Sequence, residues 1–306
     1  MSVAERARRT MSSLSPREKQ VARALLADYP SAGLGTSADV GRAARVSAAT
    51  VVRFARSLGY DGFPQLQADL VSELSERGAS PMSQYDGSRE RRAGSAQPGQ
   101  AGQPGQSGQA GQAGQDGHAE HWFDQAVAVT MGEATASLEA LPRTDLDAAV
   151  ALLADTRRPV LVIGGRYSGF IARYFAFHLQ QVRPRVVVPD NDVLGVATAA
   201  IDTKKRDVVV VFDLRRYQSS TVEAARAMAA RGAAVICITD EWLSPVADVA
   251  TVTLTTSVAS AGPFDSAAGA FVLSELLVDG ALQVLGDSAL RRMEQWERAC
   301  GEDVLT

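Results

Sequence analysis

Apolar residues in the first quarter of the chain recur at three- and four-residue spacing, and each run is bounded by residues that start or stop a helix. Val21, Leu25 and Leu26 form the stripe of a helix opened by Leu14-Ser15-Pro16-Arg17-Glu18. There Ser15 caps, Pro16 takes the first helical position and Glu18 completes a capping box. Ser37 is expected to cap a short helix running to about Ala43, and Ser47 a second from Ala48 to Leu58, which Gly59 stops; Ala44-Arg45-Val46 connects them. In the second helix Val51, Phe54 or Ala55, and Leu58 face inward, which leaves Ala48, Ala49, Thr50, Arg53, Arg56 and Ser57 outward. After Gly59-Tyr60-Asp61-Gly62-Phe63-Pro64, a last helix from Gln65 to about Arg77 is expected to bury Leu66, Leu70, Val71 and Leu74. The pattern predicts an all-α unit over residues 1–80.

From Trp122 the pattern changes. Phe123 to Leu141 reads as a helix, and Thr144-Asp145-Leu146 opens another through Ala154. Then short apolar runs alternate with helices: Pro159 to Ile163, a helix from about Gly169 to Val182, Val186 to Val188, Val208 to Phe212, a helix from Ser219 to Arg231, Val235 to Thr239, and Val252 to Leu254. Strands of continuous Val and Ile between amphipathic helices imply a doubly wound α/β domain with a parallel sheet covered on both faces. Ligands in such sheets sit beyond the carboxyl ends of the strands. That singles out the segments 164–169, 189–192, 213–220 and 239–244. Leu290, Met293 and Trp296 mark one more packing helix near the end.

Between the two units, glycine falls at every third position from Gly99 to Gly117, usually followed by Gln. Prolines are too few for a collagen helix, so residues 81–120 read as a flexible, disordered tether. The chain is thus expected to comprise residues 1–80, the tether, and residues 121–306. With 306 residues and 46% apolar content it is long enough for two cores.

Charge separates the units further. Residues 1–80 carry 11 Lys and Arg against 8 Asp and Glu, and residues 121–306 carry 17 against 23. Nucleic acid is therefore expected at the first unit only. No apolar run approaches the roughly 20 residues of a spanning helix, and the polar, Arg-containing start is no secretory signal, so a cytoplasmic protein without a membrane partner is expected. Cys237 and Cys300 read as thiols in a reducing compartment rather than a disulfide framework. His118, His121, Asp116 and Glu120 could attract a cation, but they sit in the tether and read as solvated residues; no metal or cofactor site is expected.

The paired helices of residues 36–63 carry the first candidate chemistry, since two short helices about a tight connection place the second in a DNA groove. Ala48 and Ala49 permit close backbone approach, Thr50 can touch a base edge or a thymine methyl, and Arg53 can fork onto guanine. Arg45, Ser47 and Arg56 suit the phosphates, and Ser37, at the start of the first helix, is counted with the DNA-binding residues. The segments LSPREKQVA and VSAATVVRFARSLGYDGF resemble the N-terminal domain of the RpiR family of bacterial transcription regulators. Likewise VLVIGGRYSGFIARYFAFHL, RDVVVVFDLRRYQSSTVEAARAMAARGAAVICITD and LSPVADVATVTL resemble the sugar isomerase (SIS) domain, that family's usual C-terminal partner, over about residues 125–285. The resemblance implies a homodimeric or homotetrameric regulator that binds a double-stranded operator.

It also implies a phosphosugar pocket, from which this chain departs. SIS domains bind the phosphate with a loop rich in Ser and Gly, whereas here Asp213, Arg215 and Arg216 stand at the usual serine, serine and glycine, and Gln218 near the threonine. In the first loop Gly164 and Ser168 fit, and Arg166 replaces a second glycine. With Tyr167 and Ser219, these residues form the candidate effector site, suited to a small anion held by guanidinium groups. Alternatively the arginines pair with Asp213, Asp190, Asp192 or Glu223 and only hold loops together, and Ser168, Ser219, Ser220 and Thr221 merely cap helices. SIS domains also occur in isomerases, for which Glu223, His178 and Asp265 are the acid–base candidates. Because the loop is rebuilt and a DNA reader is attached, no catalytic residue is expected. A non-sensing dimerisation domain is the remaining alternative.

Overall fold

A computed structural model describes residues 2–11, 13–27, 29–78, 82, 113–190 and 192–301. Most of the expected tether, including the Gly/Gln repeat up to residue 112, lies outside the described residues, and so do the side chains of Asp116, His118, Glu120 and His121.

The N-terminal unit comprises α1 (Val3–Thr10), α2 (Pro16–Ala27), α3 (Ser37–Ala43), α4 (Ala48–Ser57) and α5 (Phe63–Gly78). The capping box that opens α2 forms as expected: the Ser15 N–H donates to Glu18 Oε2 at 2.9 Å and the Glu18 N–H to Ser15 Oγ at 3.4 Å. These bonds to the ionised carboxylate hold Glu18 below its ordinary pKa. Val21, Leu25, Val40, Val51, Phe54, Leu58, Leu66 and Leu70 meet in one core. Val71 and Leu74 do not join it. They lie 50% and 44% exposed, while Glu73 between them accepts from the Val3 N–H at 2.7 Å and from the Tyr29 hydroxyl, so this turn of α5 meets the rest of the unit through a polar residue.

Where α3 and α4 cross, Gly41 is required by contact: a Cβ there would lie 2.8 Å from the Val46 carbonyl oxygen and 3.3 Å from the Ala48 nitrogen. The chain turns between them at Arg45 with φ 55°. The cap of α3 is Thr36 rather than Ser37. Its Oγ1 accepts from the Asp39 N–H, and Asp39 accepts in return from the Thr36 N–H, which leaves Ser37 as the first helical residue.

The C-terminal unit begins with α6 (Ala113–Glu139), ten residues earlier than expected, and α7 (Arg143–Ala154), capped at Pro142 instead of by the Thr144 segment. There follow β1 (Val160–Gly164), α8 (Ser168–Val182), β2 (Val186–Val187), α9 (Val193–Asp202), β3 (Val208–Asp213), α10 (Ser219–Ala230), β4 (Ala234–Thr239), β5 (Val252–Thr255), α11 (Ala268–Leu285) and α12 (Asp287–Cys300). The five strands are parallel, in the order β2-β1-β3-β4-β5. Alternation along β3 builds two cores. Val208, Val210 and Phe212 face α8 and α11, while Val209 and Val211 face α10 with its Val222, Ala225 and Met228.

Cys237 is buried in the second core and Cys300 is half-buried; both are free thiols. Contrary to the expected absence of a long apolar run, α11 is an 18-residue segment of mean hydropathy 1.5. Gly269, Ala270, Leu273, Ser274, Leu277 and Ala281 bury one side of it within this domain, which accounts for its composition. In α12 Trp296 packs edge-on against Phe177 at 6.3 Å, whereas Leu290 stays 52% exposed.

Candidate functional site

Helix α4 presents a mixed outer face. Ser47 caps it, its Oγ accepting from the Thr50 N–H at 3.3 Å. Arg45, Ser47, Ala49, Arg53 and Arg56 are exposed and Ala48 is half-buried. Thr50 departs from expectation: it is 1% exposed, its hydroxyl 3.0 Å from Ser47 Oγ and accepting from Arg53 Nη2 at 3.3 Å. A buried Thr50 cannot touch a base, and instead props the Arg53 guanidinium. Ser57 also turns away, donating to Glu18 Oε1 at 2.8 Å, so it joins α4 to α2. Arg56 donates through Nε to the Asp61 carbonyl at 3.2 Å, which fixes the stem of its side chain while the side chain stays exposed. Arg42, which the pattern did not single out, is exposed beside this face and pairs with Asp39.

In the α/β unit, the chain reverses sheet direction between β1 and β3. The carboxyl ends of those strands flank a cleft of about 500 Å³. Gly164 ends β1 where α8 returns so closely that a Cβ would lie 2.9 Å from the Gly169 nitrogen and the Ser168 backbone. The next residues wrap a tight loop: the Gly165 N–H donates to Ser168 Oγ at 2.9 Å, and Ser168 Oγ donates to the Phe212 carbonyl at 2.7 Å. Ser168, 6% exposed, therefore stitches β1's loop to β3 and has no proton left for a ligand. Arg166 and Tyr167 project from this loop, and the Arg166 N–H donates to Gln218 Oε1 at 3.1 Å.

At the end of β3, Asp213 is buried. Its carboxylate accepts from Ser244 Oγ and its carbonyl from Thr239 Oγ1 at 2.8 Å. Arg215 turns inward: its N–H donates to Asp240 Oδ2 at 2.5 Å, Nη1 donates to Asp265 Oδ1 at 2.7 Å, and the guanidinium carbon lies 5.1 Å from the Trp242 ring centroid. Arg216 takes φ 62°, a left-handed conformation that turns its side chain out to solvent.

The cleft thus gathers Gly165, Arg166, Tyr167, Ser168, Asp213, Arg215, Arg216 and Gln218, but not Ser219, which opens α10 on the exposed side. It adds an apolar wall from α8, the segment before α11 and the first turn of α11, including Phe170, Val258, Phe264 and Phe271. The expected partners of the arginines are also corrected. Arg215 pairs with Asp265, whereas Asp192 caps α9 by accepting from the Gly195 N–H at 2.6 Å. His178, half-buried between the Tyr174 and Phe177 rings at 4.6 and 5.7 Å, and Glu223, exposed on α10, do not line the cleft.

Residues 1–77 match the helix-turn-helix domain of the rpiR family, and residues 152–278 match the SIS domain. The chain belongs to the RpiR family. Among solved structures, the Vibrio vulnificus NanR protein complexed with ManNAc-6P is 19% identical, covers 97% of this chain and 97% of its own, and superposes with a TM-score of 0.50. The sugar isomerase domain of an RpiR transcription factor from Sphaerobacter thermophilus is 21% identical, covers 57% of this chain and 98% of its own, and gives 0.52. Both share the fold. No curated protein matches. As an RpiR-family chain it is a DNA-binding regulator with a SIS domain.

Proposed function

We propose that this RpiR-family protein reads an operator of repeated half-sites through residues 1–80, and that residues 121–306 join copies into a cytoplasmic homodimer or homotetramer and bind a small anionic metabolite. The observation that carries the sensing part is the cleft at the switch between β1 and β3, where Arg166, Arg215 and Arg216 outnumber Asp213 and Asp265. Arg215 is paired with Asp265, and the exposed Arg166 and Arg216 border the same cleft, which makes it positively charged at its mouth. The NanR relative, complexed with ManNAc-6P, supports an anionic ligand for the domain type.

The same geometry favours binding over catalysis. An isomerase needs an acid–base group beside the substrate carbonyl. His178 and Glu223 lie off the cleft, and Asp265 is held by Arg215. On the DNA side, Arg53 is the base reader, with Ala48 and Ala49 at the groove and Ser37, Arg45, Ser47 and Arg56 toward the phosphates. The stretch read from composition as a flexible tether, shortened at its end by the start of α6 at Ala113, transmits little torque, so the anion is expected to act by changing how the C-terminal domains assemble, and with it the effective concentration of paired DNA readers.

Linkage supplies the test. Fluorescence anisotropy of the full chain on operator DNA is expected to show an affinity that shifts by about 5-fold or more when the correct anion is present. An operator affinity indifferent to every phosphate and carboxylate offered would leave a non-sensing dimerisation domain.

A further inference from the structure

Helix α2 places one acid against the face of α4 proposed to meet DNA. Glu18 is half-buried in the first turn of α2, and each of its carboxylate oxygens is held: Oε2 accepts from the Ser15 N–H at 2.9 Å within the capping box, and Oε1 accepts from the Ser57 hydroxyl at 2.8 Å. Ser57 lies four residues after Arg53, so the two share one side of α4, a turn apart. Hydrogen bonds from Ser15, followed by the Ser57 hydroxyl and the positive charge of Arg53, lower the pKa of Glu18 against the desolvation that raises it, so the carboxylate is ionised at neutral pH.

A carboxylate beside a DNA-facing surface repels every phosphate that approaches it. Capping does not require the charge, because a Gln at this position completes the same box. The Ser57 bond is what ties the acid to α4. Arg53 therefore stands between Thr50, on whose hydroxyl its Nη2 rests at 3.3 Å one turn before, and Glu18, held through Ser57 one turn after. On a duplex without a matching guanine, the strongest partner for that guanidinium is a phosphate. A fixed carboxylate competes for the guanidinium and repels the phosphate together. The O6 and N7 of a guanine are uncharged acceptors, which the same carboxylate opposes far less.

We infer that Glu18, anchored by Ser57, is a specificity-determining residue of the DNA-reading unit: it keeps Arg53 off the phosphates of unrelated sequence and leaves it for a base edge. This inference rests on the base-reading role proposed above for Arg53 and names the residue that restricts it.

Anisotropy titrations of the full chain on an operator selected from a random library, and on an unrelated duplex of equal length, test it. Glu18→Gln keeps the capping box and removes the charge. It is expected to tighten binding to the unrelated duplex by about fivefold and to change operator affinity by less than about twofold, so that the ratio of the two falls. In an Arg53→Ala background the same substitution is expected to leave the ratio unchanged, because no guanidinium remains to redirect. Ser57→Ala, which spares the capping box and releases the carboxylate, is expected to lower the ratio by a smaller factor, and it decides the matter if Glu18→Gln unfolds the unit. Equal changes on both duplexes, no change on either, a loss confined to the operator, or the same fall in ratio without Arg53 would each overturn the inference while the base-reading role of Arg53 stands. If no sequence is enriched, or if Arg53→Ala spares the preference for the operator, both fail.

Discussion

Arg53→Ala is expected to weaken operator binding by about 1–3 kcal/mol, roughly 5- to 150-fold, and to flatten the preference between the operator and its single-base variants. Arg53 is exposed on α4, and its Nη2 rests on the Thr50 hydroxyl at 3.3 Å. That bond presets the guanidinium on a helix whose start is fixed by the Ser47 cap. A fork held in this way can meet O6 and N7 of a guanine together, so its loss removes discrimination as well as affinity. Arg56→Ala provides the contrast. With its Nε on the Asp61 carbonyl, Arg56 sits at the far end of the helix, toward the backbone of the duplex. Its loss is expected to weaken all sequences alike and to lower the salt slope by about 1. Anisotropy titrations of both variants at several salt concentrations distinguish the roles, and equal, sequence-independent losses would show that the base-reading face lies elsewhere.

Arg183→Met is expected to destabilise the α/β domain by about 3 kcal/mol, the largest single effect on stability considered for this chain. Arg183 is wholly buried just past the end of α8. It donates to the carbonyls of Leu153 and Arg158 and, at 3.1 Å, to that of Pro184. One guanidinium thereby ties the end of α7, the approach to β1 and the approach to β2. Burial pushes its pKa down to about 10, and it remains charged at neutral pH. Methionine keeps much of the volume and removes the donors, so these carbonyls lose their partner at about 1–3 kcal/mol for each one left dry, offset in part by no longer burying a charge. Scanning calorimetry of the full chain is expected to show the domain's transition lowered by roughly 6–12 °C. An unchanged transition would mean that water replaces the guanidinium without cost.

The parts of the fold legible in sequence were those set by short-range pattern. Continuous Val in β3 announced a strand buried on both faces, and Ser47 with the Val51, Phe54 and Leu58 spacing announced α4. What escaped has physical causes. Thr50 falls on the outward side of a helical wheel, yet a residue in the first turn of α4 can fold its short side chain back onto the cap, which hides it. Val71 and Leu74 have core spacing, but at that turn α5 meets the rest of the unit through Glu73, which accepts from the Val3 N–H and the Tyr29 hydroxyl, and spacing alone cannot show which side of the turn is covered. Helix α11 is apolar on nearly every side, so it lacks the contrast that amphipathic reading needs. In the cleft, the two loops that begin at Gly164 and Asp213 were found from the rule that ligands sit at strand ends. The Arg215–Asp265 pair was not, because its partners are 50 residues apart and spacing says nothing about contacts at that range. Phe170 and Phe264 were passed over for a related reason. An isolated aromatic in sequence reads as core until the structure leaves its ring in solvent.

Selection of bound duplexes from a random library by the full chain shows whether α3 and α4 read a DNA sequence. Enrichment of a repeated half-site is expected, with its two copies spaced by one helical turn or a multiple of it, about 10 base pairs apart, and that enrichment is expected to be lost in Arg53→Ala. Recovery of unenriched sequence, with affinity set by salt alone, would show that these helices do not.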